Sequence, residues 1–183
     1  MIRFLWGFAA LTLGGCWYSS STPSDGGAGV RTLDEMGAAT RTTTPEDARR
    51  KLADRTWRYA FAGTSHVYYT SADGRVYLWS PDAPRLFAGD WKVDTRPPMR
   101  GRSQEATAQQ ITIVCFRYPQ EAVHPVMKQG RSDEWYCPPA GSFLYDVKES
   151  LAGDVFGLAT RSDVAFVLGR HGTTLASLRA RLR

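Results

Sequence analysis

Three cysteines, Cys16, Cys115 and Cys137, are the side chains whose type and spacing point most directly to chemistry. A thiol can be acylated, can join a second thiol in a disulfide, or can bind a metal ion. Cys16 directly follows the small residues Gly14 and Gly15, whereas the other two cysteines lie far along the chain. No C-x-x-C spacing is present, so we expect no metal site.

Residues 1–15 have the layout of a secretory signal, with Arg3 ahead of an apolar stretch and two small residues at its end. Because Cys16 comes directly after the small pair, the segment resembles a bacterial lipoprotein signal. The resemblance implies removal of residues 1–15 and attachment of lipid, palmitate included, at Cys16. A plain cleaved signal is the first alternative. An uncleaved membrane helix is disfavoured, because the 14 residues from Phe4 to Trp17 fall short of the roughly 17–25 that span a bilayer.

The residue after Cys16 is Trp17 rather than an aspartate. By resemblance to lipoproteins of diderm bacteria, this implies an outer-membrane protein facing the periplasm, held to the membrane by its N-terminal lipid. Residues 16–44 contain the lipidated cysteine and a Ser-, Thr-, Gly- and Ala-rich stretch, which predicts a flexible tether. Residues 45–183 then form a single domain.

The two remaining cysteines are expected to form a pair. If Cys16 carries lipid, Cys115 and Cys137 are left over in a chain that meets an oxidising compartment, where disulfides persist. A bridge between them would close a loop of about 22 residues and stabilise the fold by about 3 kcal/mol in the chain-entropy description. Two unrelated buried thiols are the alternative.

Other groups capable of catalysis do not form a recognisable set. No two of the three histidines, His66, His124 and His171, have a metal-ligand spacing such as i, i+4. Neither Gly-x-Ser-x-Gly nor Ser-x-x-Lys occurs. We therefore predict no catalytic residue, no metal and no cofactor.

The elements that would position these residues are mostly strands. Thr44 and Pro45 predict the start of a helix, and alternation from Trp57 onward predicts a strand. Asp73-Gly74 predicts a hairpin turn. Further strands are predicted at 86–93, 110–118, 135–137, 143–147, 155–159 and 164–168, and a short amphipathic helix at 173–182. The fold class expected is mainly β: a small antiparallel β-barrel or half-barrel of about eight strands, with a short N-terminal helix and a possible C-terminal one.

The order of motifs over residues 45 to about 168 resembles an uncharacterised lipocalin-like family of small secreted alphaproteobacterial β-proteins. The motifs that carry this resemblance are Tyr68-Tyr69-Thr70-x-x-Asp73-Gly74, Gly89-Asp90-Trp91-Lys92-Val93, Cys115-Phe116 and Trp135-Tyr136-Cys137. The resemblance implies a barrel or half-barrel and a disulfide, and it implies no activity.

Aromatic residues make up 12% of the sequence and include six tryptophans. Because successive strand residues point to opposite faces, both faces of the predicted sheet carry large rings. Tyr68, Trp79, Trp91 and Trp135 are the candidate ligand-binding residues. Packing of these rings in the core, an apolar ligand pocket and a surface for a partner protein are the three interpretations left open.

The net charge of +5 suits contact with anionic headgroups or envelope polymers, although an ordinary arginine-rich surface explains it equally well. A nucleic-acid partner has no motif behind it and conflicts with export. We expect a lipid-anchored cell-envelope protein whose non-catalytic domain binds a partner or a small apolar ligand. The alternatives are a periplasmic hydrolase or lipid-modifying enzyme, and a structural envelope component that contacts anionic lipid or cell-wall polymer.

Overall fold

The computed structural model describes residues 33–61, 64–81, 83–97, 110–118, 134–169 and 171–182. In these ranges the helices are α1 (Leu33–Thr42), α2 (Pro45–Leu52), α3 (Ala140–Tyr145) and α4 (Leu175–Arg181), with a 3-10 helix at Leu158–Thr160. The strands are β1 (Arg55–Phe61), β2 (Thr64–Thr70), β3 (Arg75–Trp79), β4 (Phe87–Arg96), β5 (Ile111–Arg117) and β6 (Val147–Ala152).

The six strands form one antiparallel sheet in the order β5-β4-β3-β2-β1-β6, curled into a half-barrel. Four of the five neighbouring pairs are consecutive along the chain, as expected for strands joined by hairpins. The tight turn between β2 and β3 contains Gly74 at φ 92°, a conformation that costs glycine little because it has no Cβ. The predicted fold class, mainly β with a half-barrel and short terminal helices, is confirmed.

Strands β5 and β6 are the two edges of the sheet, and the described residues that lie between them in sequence contact both. Tyr136 and Phe116 exchange both backbone hydrogen bonds at 2.9 Å, and Pro138 accepts a third bond from the amide of Val114 at 3.1 Å. The segment Trp135–Pro139 therefore covers the outer edge of β5. Helix α3 follows it and contacts both β5 and β6. An edge strand covered in this way cannot pair with another chain.

Each face of the sheet has its own hydrophobic cluster. The inner face, which α2 and α3 cover, carries buried residues that include Trp57, Tyr59, Tyr68, Val76, Leu78, Trp91, Val93, Val114, Phe116, Tyr118 and Phe143. The outer face is covered by the segment after β6, and its buried residues are Val67, Tyr69, Trp79, Phe156, Leu158, Leu168, Leu175 and Leu178. Both sets of rings predicted from strand alternation are therefore mostly in the core.

Helix α2 begins as predicted. Thr44 caps it by accepting a hydrogen bond from the amide of Asp47 at 3.1 Å, and Pro45 occupies the first turn. Ala48 and Leu52, four residues apart, are both fully buried against the inner cluster. This narrow apolar stripe is enough to dock a short helix, because most helical stability in proteins comes from packing.

Six strands are present in the described residues, where about eight were expected for the whole chain. The strand predicted at 143–147 is wrong, because α3 ends at Tyr145 and β6 begins only at Val147. Residues 135–137, 155–159 and 164–168 make at most isolated bridges. The last two segments are apolar because they pack on the outer face of the sheet, where Phe156 and Leu168 are buried without joining a ladder.

The stretch assigned to the tether contains a helix. Helix α1 packs on α3, with Thr40 and Ser142 hydroxyls 3.0 Å apart and the Thr112 hydroxyl donating to the carbonyl of Thr43 at 2.7 Å. The small residues that made this stretch look unstructured are what allow a close approach. Cys16 and the predicted signal lie outside the described residues. Among those described, no helix is long and apolar enough to cross a bilayer.

Candidate functional site

The inner face of the half-barrel is filled by aromatic rings. Tyr68 stacks on Trp57 with ring centroids 4.1 Å apart and planes 6° from parallel, and Phe143 of α3 meets the edge of Trp57 at 5.5 Å. The indole nitrogen of Trp57 donates to the hydroxyl of Thr70 at 2.9 Å, which in turn donates to the carbonyl of Leu52. Tyr68 is 1% exposed. These contacts make Tyr68 a core residue.

The four predicted ligand-binding residues are not brought together. Trp91 shares the inner face with Tyr68, and its indole donates to the carbonyl of Ser71 at 2.9 Å. Trp79 belongs to the outer cluster, and its indole donates to the carbonyl of Phe166 at 3.2 Å. The partly exposed Trp135 lies elsewhere, so the four residues do not line one pocket.

Trp135 belongs to a charged surface on the outer side of β4 and β5. Its ring lies 5.1 Å from the ammonium of Lys92 and 4.8 Å from the guanidinium of Arg117, both within cation–π range. Asp90 sits between Arg117, which donates at 2.7 Å, and Arg75. Hydrogen bonding from Arg117 first, and then the charge of Arg75, holds the pKa of Asp90 below its usual value despite partial burial. The cations here are thus already partnered.

His66 and Ser80 bring a histidine and a serine hydroxyl close to each other. The His66 Nδ1 and the Ser80 Oγ are 3.5 Å apart, and both residues are buried. Burial lowers the pKa of His66 to about 4, so the ring is neutral near pH 7. Within the described ranges no carboxylate is bonded to the ring, and the 3.5 Å separation is at the limit for a hydrogen bond. This geometry matches a buried polar contact rather than a hydrolytic centre.

Of the other two histidines, His171 is exposed and His124 lies outside the described residues. The described part of the chain holds no group of three or more metal-ligating side chains. Cys115 and Cys137 instead bring their sulfur atoms to disulfide distance, as predicted.

An accessible cleft of about 420 Å³ opens where α2 ends and β1 begins, beside the end of α3 and the start of β6. We call it the basic cleft. Its lining residues are Arg50, Lys51, Arg55, Leu144, Val147 and Ser150. Three of these six residues are cations and none is acidic.

Neighbouring groups organise the cations of the basic cleft to different degrees. Arg55 is fixed by a hydrogen bond from its Nε to the Ser150 hydroxyl at 2.7 Å. Arg50 pairs with Asp47 on the exposed side of α2. Lys51 is exposed in the last turn of the helix, where a cation complements the helix dipole. Arg55 is thus held by a neutral hydroxyl, whereas Arg50 is paired with a carboxylate.

Two of the residues that line the basic cleft are apolar. Leu144 and Val147 are partly buried, and each packs on the inner cluster. A site that joins cations, one of them held in place by Ser150, to apolar side chains can hold an anion attached to a hydrocarbon part. Sequence reasoning missed the cleft. The local sequence indicates the cleft only by three cations within the six residues 50–55. The apolar residues of the lining come from about 90 residues later in the chain.

No protein family, curated protein or solved structure matches this chain.

Proposed function

We propose that this chain is a lipid-anchored protein of the bacterial cell envelope, carried on the outer membrane and facing the periplasm, whose half-barrel binds an envelope component without catalysis. The observation that carries the binding role is the basic cleft, where three cations and two apolar side chains line one space and no acid lines it. The layout of residues 1–16 supports the anchor.

The filled interior counts against a hydrolase or lipid-modifying enzyme with its site inside the half-barrel, and it leaves the surface as the place for binding. Trp57, Tyr68 and Phe143 occupy the inside of the curled sheet, where small barrels that bind ligands keep a cavity. His66 and Ser80 are buried away from the basic cleft lining. The basic cleft contains cations suited to anion binding, and no histidine or carboxylate lines it.

The anchor is tested by growing cells that express the full chain with labelled palmitate. The wild-type protein should take up label and fractionate with the outer membrane, and the Cys16→Ala variant should lose the label. The Cys115→Ala/Cys137→Ala variant is the matched control, because it removes two thiols and should keep the label. Equal labelling of wild type and Cys16→Ala would refute the anchor.

A purely structural contact with anionic cell-wall polymer is the second candidate, and the basic cleft favours it as well. Sedimentation of the protein with purified cell-wall material separates the candidates. Contact driven by exposed charge should weaken steeply between low and physiological salt, since the Debye length falls from about 30 Å at 0.01 M to about 8 Å at 0.15 M. Absence of sedimentation at both salt concentrations would remove this candidate.

A further inference from the structure

We propose that the basic cleft binds the phosphate headgroup of an anionic phospholipid, with the glycerol and the first acyl carbons against Leu144 and Val147. The inference rests on the proposed function in one respect only: it takes the protein to be close to a membrane. The cleft is formed by described residues of α2, β1, α3 and β6, and it is separate from the four aromatic residues predicted to bind a ligand.

Charge and geometry select an anion with several oxygens. A guanidinium offers a planar fork that matches phosphate, and Arg55 is preorganised because Ser150 already holds its Nε at 2.7 Å. Lys51 and Arg50 add positive charge from the last turn of α2. The remaining polar group in the lining is the Ser150 hydroxyl. The carboxylate of Asp47, which pairs with Arg50, lies outside the lining.

The apolar side chains of the lining select a lipid over a free anion. Inorganic phosphate makes no use of Leu144 and Val147, the two apolar residues in the lining. The volume of about 420 Å³ lies within the range of about 300–1,000 Å³ typical of small-molecule sites. It suits a headgroup with its glycerol, whereas a polymer requires a groove that continues beyond a few residues.

The covalent length of the chain keeps the cleft near an anchored N-terminus. Sixteen residues separate Cys16 from Leu33, where the described structure begins. Even at full extension they span at most about 55 Å. A domain held within that distance of a membrane meets headgroups at high effective concentration.

The test measures the affinity of the full chain for three probes by calorimetry: water-soluble dihexanoyl phosphatidate, dihexanoyl phosphatidylcholine and inorganic phosphate. Phosphatidate should bind at least tenfold more tightly than either of the others, because only it combines an exposed anionic phosphate with acyl carbons. Equal affinity for inorganic phosphate would show a plain anion site and overturn the proposal. Equal affinity for phosphatidylcholine would overturn it too.

Variants locate the site. Arg55→Gln should lower the affinity for phosphatidate about tenfold, and Arg50→Gln/Lys51→Gln should lower it by about fivefold for each charge removed. The charge-matched control is Arg161→Gln/Arg179→Gln, which removes two exposed cations outside the cleft and should leave the affinity unchanged. Equal losses in both sets would indicate a nonspecific charge effect and reject the cleft.

A further variant addresses the apolar part of the lining. Leu144→Ser should weaken phosphatidate binding several-fold and leave inorganic phosphate binding unchanged, with folding checked by circular dichroism. Binding of a soluble anionic polysaccharide in place of phosphatidate would overturn the lipid assignment. Palmitate labelling is independent of all these measurements, so failure of the cleft and failure of the anchor give different results.

Discussion

Cys115 of β5 lies directly opposite Cys137 of the segment that covers the edge of that strand, with their Cα atoms 4.1 Å apart. The neighbouring residues Phe116 and Tyr136 exchange two backbone hydrogen bonds, which places the cysteines at a non-hydrogen-bonded pair, where opposing side chains approach most closely. The pair therefore joins the edge segment to the sheet just before α3 crosses to β6.

Loss of this link should destabilise the fold by about 3 kcal/mol, because the unfolded chain regains the freedom of a loop of about 22 residues. Urea unfolding of Cys115→Ala/Cys137→Ala against wild type measures the change. The Cys16→Ala variant should unfold like wild type. Two free thiols at these positions in the oxidised, denatured protein would contradict the prediction.

Gly141→Ala should loosen α1, because the added Cβ would lie 2.3 Å from the carbonyl carbon and oxygen of Ala39. Overpacking of this kind costs about 1–3 kcal/mol. Hydrogen exchange should rise selectively in Leu33–Thr42. Gly169→Ala is the control, since its Cβ would meet nothing closer than 4.0 Å. Unchanged exchange in α1 for Gly141→Ala would show that the two helices do not pack in solution.

His66 should make stability depend on pH between about 6.5 and 4. Burial lowers its folded pKa to about 4, whereas the unfolded side chain titrates near 6.5. Above pH 6.5 both states are neutral and the fold has its full stability. As pH falls through this window the unfolded state takes up the proton first, which removes up to about 3 kcal/mol. His66→Gln should abolish that part of the slope of unfolding free energy against pH.

The exposed His171→Gln substitution is the matched control for His66 and should keep the wild-type slope. If His66→Gln and wild type lose stability in parallel between pH 6.5 and 4, the histidine is not buried in the neutral form.

Asp90→Asn should cost about 1 kcal/mol, because it removes the acceptor between Arg75 and Arg117 while leaving a partly exposed surface. The pKa of Asp90 is lowered, chiefly by the hydrogen bond from Arg117, so its contribution is present above pH 4 and fades as pH falls further. A double-mutant cycle with Arg117→Gln measures the coupling. Additive effects of the two substitutions would show that the ion pair contributes nothing.

Short sequence patterns correctly predicted the structural elements that depend on only a few neighbouring residues. The cap at Thr44, the turn at Gly74 and the alternation in β1 to β5 all follow from a few neighbouring residues. The strand predicted at 143–147 is wrong because an apolar run of that length is equally compatible with a helix and a strand. The structure resolves it as α3, whose Phe143 fills the inner face.

For the candidate site too, some features follow from the sequence and others only from the tertiary structure. The sequence by itself determined that the chain is mainly β, where its rings and cysteines fall, and which segment has the layout of a lipoprotein signal. Only the tertiary structure decided that Tyr68 and Trp79 lie in separate clusters, and that Arg55 lines one cleft together with Leu144 and Val147. The reason is physical: alternation and capping act over a few residues, whereas a cleft depends on how distant elements pack.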